Sequence, residues 1–193
     1  MRQFLSCVLL FVFFSPSTSI DDSSLRRTCP RDKSLCTKKA LKGECFGSSL
    51  RAKVLRKECA CSCDAVHHER IQRCCKTVGD HDMKFCLPLC AYNTTSDSLS
   101  GSLGVKCVSQ LTTWAYCASD SQDCTPCCKA KGVPKECQSF CQGQVPTCDM
   151  QSILEYQGCL RHMGHIIECQ KEALEAKPRF DPDWSSSCDW EGR

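Results

Sequence analysis

Cys124 and Cys127, in Cys-Thr-Pro-Cys, have the spacing of a thiol–disulfide redox pair. Such chemistry needs a thiolate stabilised at a helix start that follows a strand. No strand-helix-strand pattern surrounds this pair, and Cys128 adjoins it, so the spacing is read as a structural staple. His81 and Asp82 are a second candidate, because a histidine general base beside a carboxylate can activate water next to a calcium ion that polarises an ester. That arrangement requires the histidine one turn beyond a cysteine doublet and a glycine-rich calcium loop upstream. Five residues separate Cys75 from His81, and no such loop precedes them, so an exposed polar turn is expected. His67 and His68 lie near cysteines and offer donors suited to tetrahedral zinc. Free thiolates do not persist in an oxidising compartment, so two solvated histidines on a helix are expected instead. Asn93-Thr94-Thr95 is an N-glycosylation sequon containing the chain's only asparagine.

The elements that must position these residues begin with the leader. MRQFLSCVLLFVFFSPSTSI has a positive Arg2, an apolar run from Phe4 to Phe14, and small residues Ser17 and Ser19, the form of a secretory signal peptide over residues 1–19. The apolar run is too short to span a bilayer of about 30 Å, and no later stretch is long enough, so no membrane span is expected. Removing the leader takes four of the eight phenylalanines and leaves 174 residues with 21 of the 22 cysteines. That cysteine density marks a secreted disulfide scaffold, in which covalent staples replace missing core. The net charge of +3 falls to +2 without Arg2 and reads as dispersed, with no basic stripe interleaved with aromatics; nucleic acid is therefore excluded as a partner.

Six cysteines, Cys29, Cys36, Cys45, Cys59, Cys61 and Cys63, follow in a lysine-rich segment, enough for a three-bridge unit. Asp64 is placed to cap a short helix that leads into Cys74 and Cys75. A second doublet, Cys127 and Cys128, repeats the first, and each is followed by Lys and then by a Cys-x-x-x-Cys pair: Cys86 and Cys90, then Cys137 and Cys141. On a helix, adjacent side chains project about 100 degrees apart, so the two sulfurs of a doublet reach different elements. Pro134 suits a helix start and Gly143 a stop, which puts Cys137 and Cys141 on one helical face, able to grip one neighbouring helix. Pro88 between Cys86 and Cys90 restricts the first copy to a helix start. The segment from Ala91 to Gly104 reads as a surface loop, and Cys107, Leu111, Trp114 and Cys117 fall on one buried helical face. Ile153, Leu154, Leu160, Met163, Ile166 and Ile167 mark another amphipathic helix, weakened at Gly164 and continued by the charged QKEALEAK as exposed helix or fray. The segment from Pro178 onward has no usable periodicity and reads as loosely attached.

The doublet, Cys-x-x-x-Cys pattern and KCVSQLTTWAYCASDSQDCTPCCKAKGVPKECQSFCQG resemble the DB module, a cysteine-rich extracellular domain of nematode secreted and cell-surface proteins. The resemblance implies a twelve-cysteine framework of Cys74, Cys75, Cys86, Cys90, Cys107, Cys117, Cys127, Cys128, Cys137, Cys141, Cys159 and Cys169, and no catalytic residues. Cys124 and the GDHDMKFC turn depart from the family's pattern. CTKKALKGEC is more weakly similar to the six-cysteine module of the ShK toxin type, although Cys59-Ala-Cys61-Ser-Cys63 is more tightly spaced than in that family. In its channel-blocking members a lysine precedes an aromatic, whereas Lys53 here precedes Val54. The His81 segment is similar to small secreted phospholipases in residue types, but not in spacing.

These readings define a small disulfide-rich, mainly α fold: short helices cross-linked by disulfides, with irregular loops. The expected organisation is a signal peptide (1–19), an N-terminal six-cysteine segment (20–63), a DB-type module (64–169) and a C-terminal tail (170–193). The expected function is that of a secreted, non-enzymatic extracellular protein without cofactor or metal, which binds an extracellular protein or receptor. The competing readings are a calcium-dependent lipase-like hydrolase using His81 and Asp82, and an ion-channel modulator acting through the N-terminal unit. Cys124, Cys148 and Cys188 remain outside both cysteine sets, and an odd total leaves one sulfur without an internal partner. Cys124 is expected to pair with Cys148, leaving Cys188 free or linking two chains.

Overall fold

The computed structural model describes residues 20–95, 97–98, 101–145 and 156–185. Residues 1–19, read above as a signal peptide, and Cys148, Ile153, Leu154 and Cys188 lie outside the described residues. Among the described residues the chain is helical without strands, as the sequence predicts, and no helix is long and apolar enough to cross a membrane.

Three short helices open the fold: α1 (Asp22–Thr28), α2 (Ser34–Leu41) and α3 (Leu50–Glu58). Side-chain oxygen caps set the starts of α1 and α3, since Asp21 accepts from the Ser24 amide at 2.6 Å and Ser49 from the Ala52 amide at 3.2 Å. The long helix α4 (Ala60–Val78) follows with only Cys59 between. Asp64 does not cap it, contrary to the sequence reading. The helix starts four residues earlier, and Asp32 accepts from the Ser62 amide at 2.8 Å, a cap supplied from the α1–α2 turn. One face of α4 is buried from end to end through Cys63, Val66, His67, Arg70, Ile71, Cys74 and Cys75. The helix thus runs unbroken from the six-cysteine segment into the first doublet.

Beyond α4 lie α5 (Met83–Cys86) with a 3-10 turn through Pro88, α6 (Ser102–Lys106) and α7 (Leu111–Ser119). They are followed by α8 (Thr125–Ala130), α9 (Gln138–Gln142) and α10 (Met163–Ala173). Helix α7 was expected to bury one face, but every residue from Thr113 to Ser119 is buried, because α4, α9 and α10 enclose it. Gly143 ends α9 with φ +69°, and a Cβ there would collide with the Ser119 side chain. Gly164 lies in the first turn of α10 rather than in its middle.

The eighteen paired cysteines form three consecutive sets. Cys29–Cys61, Cys36–Cys59 and Cys45–Cys63 staple α1, α2 and the turn after α2 to the start of α4. Cys74–Cys117, Cys75–Cys90 and Cys86–Cys107 form the second set, and Cys127–Cys169, Cys128–Cys141 and Cys137–Cys159 the third. The second and third sets have the same order: first to sixth, second to fourth, third to fifth. Six cysteines can pair in fifteen ways, so a shared pairing marks an internal duplication. The sulfurs of each doublet do diverge to different elements. Those of each Cys-x-x-x-Cys pair also diverge, contrary to the expectation that they grip one helix, because Cys141 turns back to α8 while Cys137 reaches the 3-10 turn at Cys159.

Candidate functional site

Two apolar clusters, one around Leu25, Leu55 and Val66 and one around Ile71, Trp114 and Ile166, meet at Phe46, which packs against both. His67 lies beneath it with ring centroids 4.9 Å apart and is fully buried, not solvated as the sequence suggests; His68 is exposed. The pattern of α4 explains the split, since His67 shares the face of Cys63, Arg70 and Ile71. Neither His67 nitrogen meets a hydrogen-bonding group in good geometry. Burial, with the cations Lys171, Arg56 and Arg70 nearby, lowers its pKa to about 3, only partly opposed by the Cys45 backbone.

Arg70 makes the other half of this junction. Its guanidinium lies 4.6 Å from the Phe46 ring centre, bonds Asp120 at 3.0 Å and donates to the Ala176 carbonyl at 2.6 Å. Asp120 caps the C-terminus of α7 in a left-handed conformation with φ 51°. Its other oxygen accepts from the Arg179 and Phe180 amides at 3.1 and 3.2 Å. Burial raises the Asp120 pKa, while the Arg179 amide and Arg70 hold it down. The Asp181 amide donates to the Tyr116 hydroxyl at 2.7 Å, and Trp184 stacks on Tyr116 with centroids 4.0 Å apart. Residues 174–184 are therefore a strap docked on α7, not the loose segment expected from Pro178 onward. Gln170 and Leu174, in the stretch read as exposed helix or fray, are fully buried.

Cys124 carries a free, buried thiol that donates to the Cys141 carbonyl at 3.1 Å. Its sulfur lies 4.0 Å from that of Cys128, which is bonded to Cys141, while Cys127 is bonded to Cys169. The Cys124–Cys127 spacing is thus no redox pair, and the expected bond from Cys124 to Cys148 is replaced by a thiol. Burial pushes the Cys124 pKa up to about 12. Cys124, Cys128 and Cys141 cluster closely enough to suggest metal ligands, but two of them are spent in a disulfide. Superposing the two doublets puts Cys124 in register with Ile71, a fully buried core residue of the first copy. It behaves as a small apolar side chain.

His81 and Asp82 stand in a turn ahead of α5, 3.5 Å apart, with side chains 79% and 72% exposed. The Asn93 side chain is exposed, but Tyr92 and Thr94 beside it are buried, so the start of the expected surface loop belongs to the core. The Tyr92 hydroxyl donates to the Ala118 carbonyl at 2.8 Å. Asn93 sits on the rim of an open cleft of about 680 Å³ between α3 and α10. Leu50, 79% exposed, and Val54 present an apolar ridge to it, and Ile167 faces them from α10. Lys53 lies in the same cleft, paired with Glu172 at 3.1 Å, while Lys171 holds Asp64 at 2.6 Å. These contacts tie α3 and α4 to α10.

The bridges and helices define a class: a disulfide-stapled helical module built from two copies of one cysteine scaffold. The DB module family model matches residues 74–170, from the first doublet to the end of the third bridge set. The chain belongs to the DB module family, a family of cysteine-rich domains. No curated protein and no solved structure matched the chain.

Sequence reasoning missed the Arg70–Asp120 junction and the reach of the duplication. A signal for the latter is present: Cys107 to Cys117 and Cys159 to Cys169 span the same ten-residue step, so each copy extends through its last helix.

Proposed function

We propose that this is a secreted, non-enzymatic protein that binds an extracellular protein, such as a receptor ectodomain or a matrix component. The observation that carries the reading is the α3–α10 cleft, where Leu50 and Val54 are held toward solvent on a framework cross-linked on both sides. A surface already ordered by bridges loses little conformational entropy on docking. Residues 1–19 direct export, residues 20–63 act as an N-terminal unit joined to the module, and Asn93 carries a glycan at the cleft's rim. Cys188 links two chains through an intermolecular disulfide.

The test places a photocrosslinking residue at position 50 or at the control position 135 in the oxidised protein, exposed to extracellular extract. The reading requires one discrete protein adduct from position 50, competed by excess unmodified chain and lost in Val54→Asp. Equal labelling from both positions would overturn it. So would calcium-dependent ester hydrolysis abolished by His81→Ala, or altered potassium currents produced by the N-terminal unit. An endoglycosidase mass shift and a non-reducing gel test the Asn93 glycan and the Cys188 link separately.

A further inference from the structure

The small net charge of the chain hides a segregation. Residues 20–63 hold eleven Lys and Arg against five Asp and Glu, whereas residues 64–193 hold thirteen against seventeen. The excess concentrates in residues 26–42, with seven cations and Asp32 as the one acid. Asp32 is engaged by the Ser62 amide at the start of α4, and Arg26 is paired with Asp22. Arg31, Lys33, Lys38, Lys39 and Lys42 have no carboxylate partner among the described residues. On α2 the buried face is Cys36, Thr37 and Ala40, so Leu35, Lys38 and Lys42 fall together on the opposite side with Lys39 beside them.

We propose that this face of α2, extended by Arg31 and Lys33 at its start, binds a linear sulfated polysaccharide. Helix-dipole compensation accounts for Lys38 and Lys39 in the last turn. It does not account for Arg31 and Lys33, which lie before the first turn, where positive charge is unfavourable. Holding unpaired cations together works against the fold through mutual repulsion, and a polyanion relieves it. The Cys36–Cys59 bridge roots the first turn of α2 in the core and buried Ala40 anchors its last turn, so the array is fixed before a ligand arrives. The face carries no aromatic ring on which a base could stack, which disfavours single-stranded nucleic acid. Its exposed apolar residues, Leu35 and Leu41, are separated by lysines and form no continuous ridge of the kind that inserts into a bilayer.

The experiment uses the full oxidised chain and heparin as the probe, with affinity followed against salt. The wild type is expected to stay bound to a heparin column at about 0.15 M salt, where charges more than about 8 Å apart are largely screened. Lys38→Gln/Lys42→Gln should elute at clearly lower salt, with the slope of log affinity against log salt reduced by roughly two. Lys129→Gln/Lys135→Gln, at exposed lysines of the module, should behave as wild type. All three proteins must give the same bridge map, which separates loss of binding from loss of fold. Elution of wild type below 0.15 M salt, or equal weakening in both variants, would overturn the proposal. Tighter binding to phosphatidylserine vesicles or to a single-stranded oligonucleotide than to heparin would overturn the polysaccharide assignment. Because α2 lies outside the α3–α10 cleft, this result is independent of the photocrosslinking result.

Discussion

His67 and Cys124 show how burial turns reactive residue types into inert ones. His67 has a folded pKa of about 3 against an ordinary value of 6.5. Between those values the unfolded chain takes the proton and the folded chain does not, so unfolding is favoured as pH falls. The stability is therefore fully present above about pH 6.5, declines by at most about 1.4 kcal/mol per pH unit, and levels off near pH 3 when the folded ring also protonates. Denaturant midpoints at pH 7, 5 and 4 should fall in the wild type, and His67→Leu should flatten that part of the decline. An unchanged pH profile in the variant would place the acid-sensitive group elsewhere. For Cys124, a thiol pushed up to about 12 and shielded from solvent is a poor nucleophile. Iodoacetamide should leave Cys124 unmodified in the native protein and label it once denaturant is added; labelling of the native thiol at the rate of a free cysteine would contradict its burial.

Several elements were legible from local spacing: the helix that carries the buried Trp114 and Cys117, although Cys107 falls before its start, the stop at Gly143, and the divergence of the doublet sulfurs. Those the sequence left hidden depend on contacts between distant residues. The cap of α4 comes from Asp32, thirty residues before the amide it accepts, so the nearer Asp64 looked like the natural cap. The strap is held largely by backbone groups of Ala176, Arg179, Phe180 and Asp181, which every residue type except proline provides, so composition and periodicity carry no trace of it. Its dependence on the buried ion pair can be measured. Asp120→Ala leaves the Arg70 guanidinium buried without its carboxylate and removes the acceptor of two strap amides. The expected loss is about 3–5 kcal/mol, with faster hydrogen exchange at Arg179 and Phe180 and altered Trp184 fluorescence. Arg70→Met/Asp120→Leu should recover part of the stability but not the slow exchange of those amides, because the acceptor is still missing. Recovery of both would mean that the strap docks without Asp120. At the α7–α9 contact, Gly143→Ala should destabilise by roughly 1–3 kcal/mol, since the new methyl group is strained at positive φ and meets Ser119. Thermal melting checks this.

At the scale of the whole molecule, covalent and non-covalent order divide the work. Each bridge set closes on itself, 29 to 63, 74 to 117 and 127 to 169, and no disulfide among the described residues joins one set to another. Cohesion between sets rests on α4, on the enclosure of α7, on the Arg70–Asp120 pair and on the strap. Cysteine spacing alone exposed the duplicated doublets but not this nesting, because pairing is decided by which helices pack together. The nesting has a direct chemical consequence. Arg70 and Arg73 lie between the first and second sets, and Asp120 and Asp123 between the second and third. If the unreduced protein is unfolded in the presence of an alkylating agent, so that Cys124 is blocked as it becomes exposed, and is then cut with trypsin and an Asp-specific protease, three separate bridged clusters should be released. Each should fall apart only on reduction and gain the mass of six hydrogens, two for each of its three bridges. A fragment joining Cys45 or Cys63 to Cys74 or Cys75 would show that the N-terminal unit is covalently locked to the module. A fragment joining the second set to the third would break the shared pairing order on which the duplication rests.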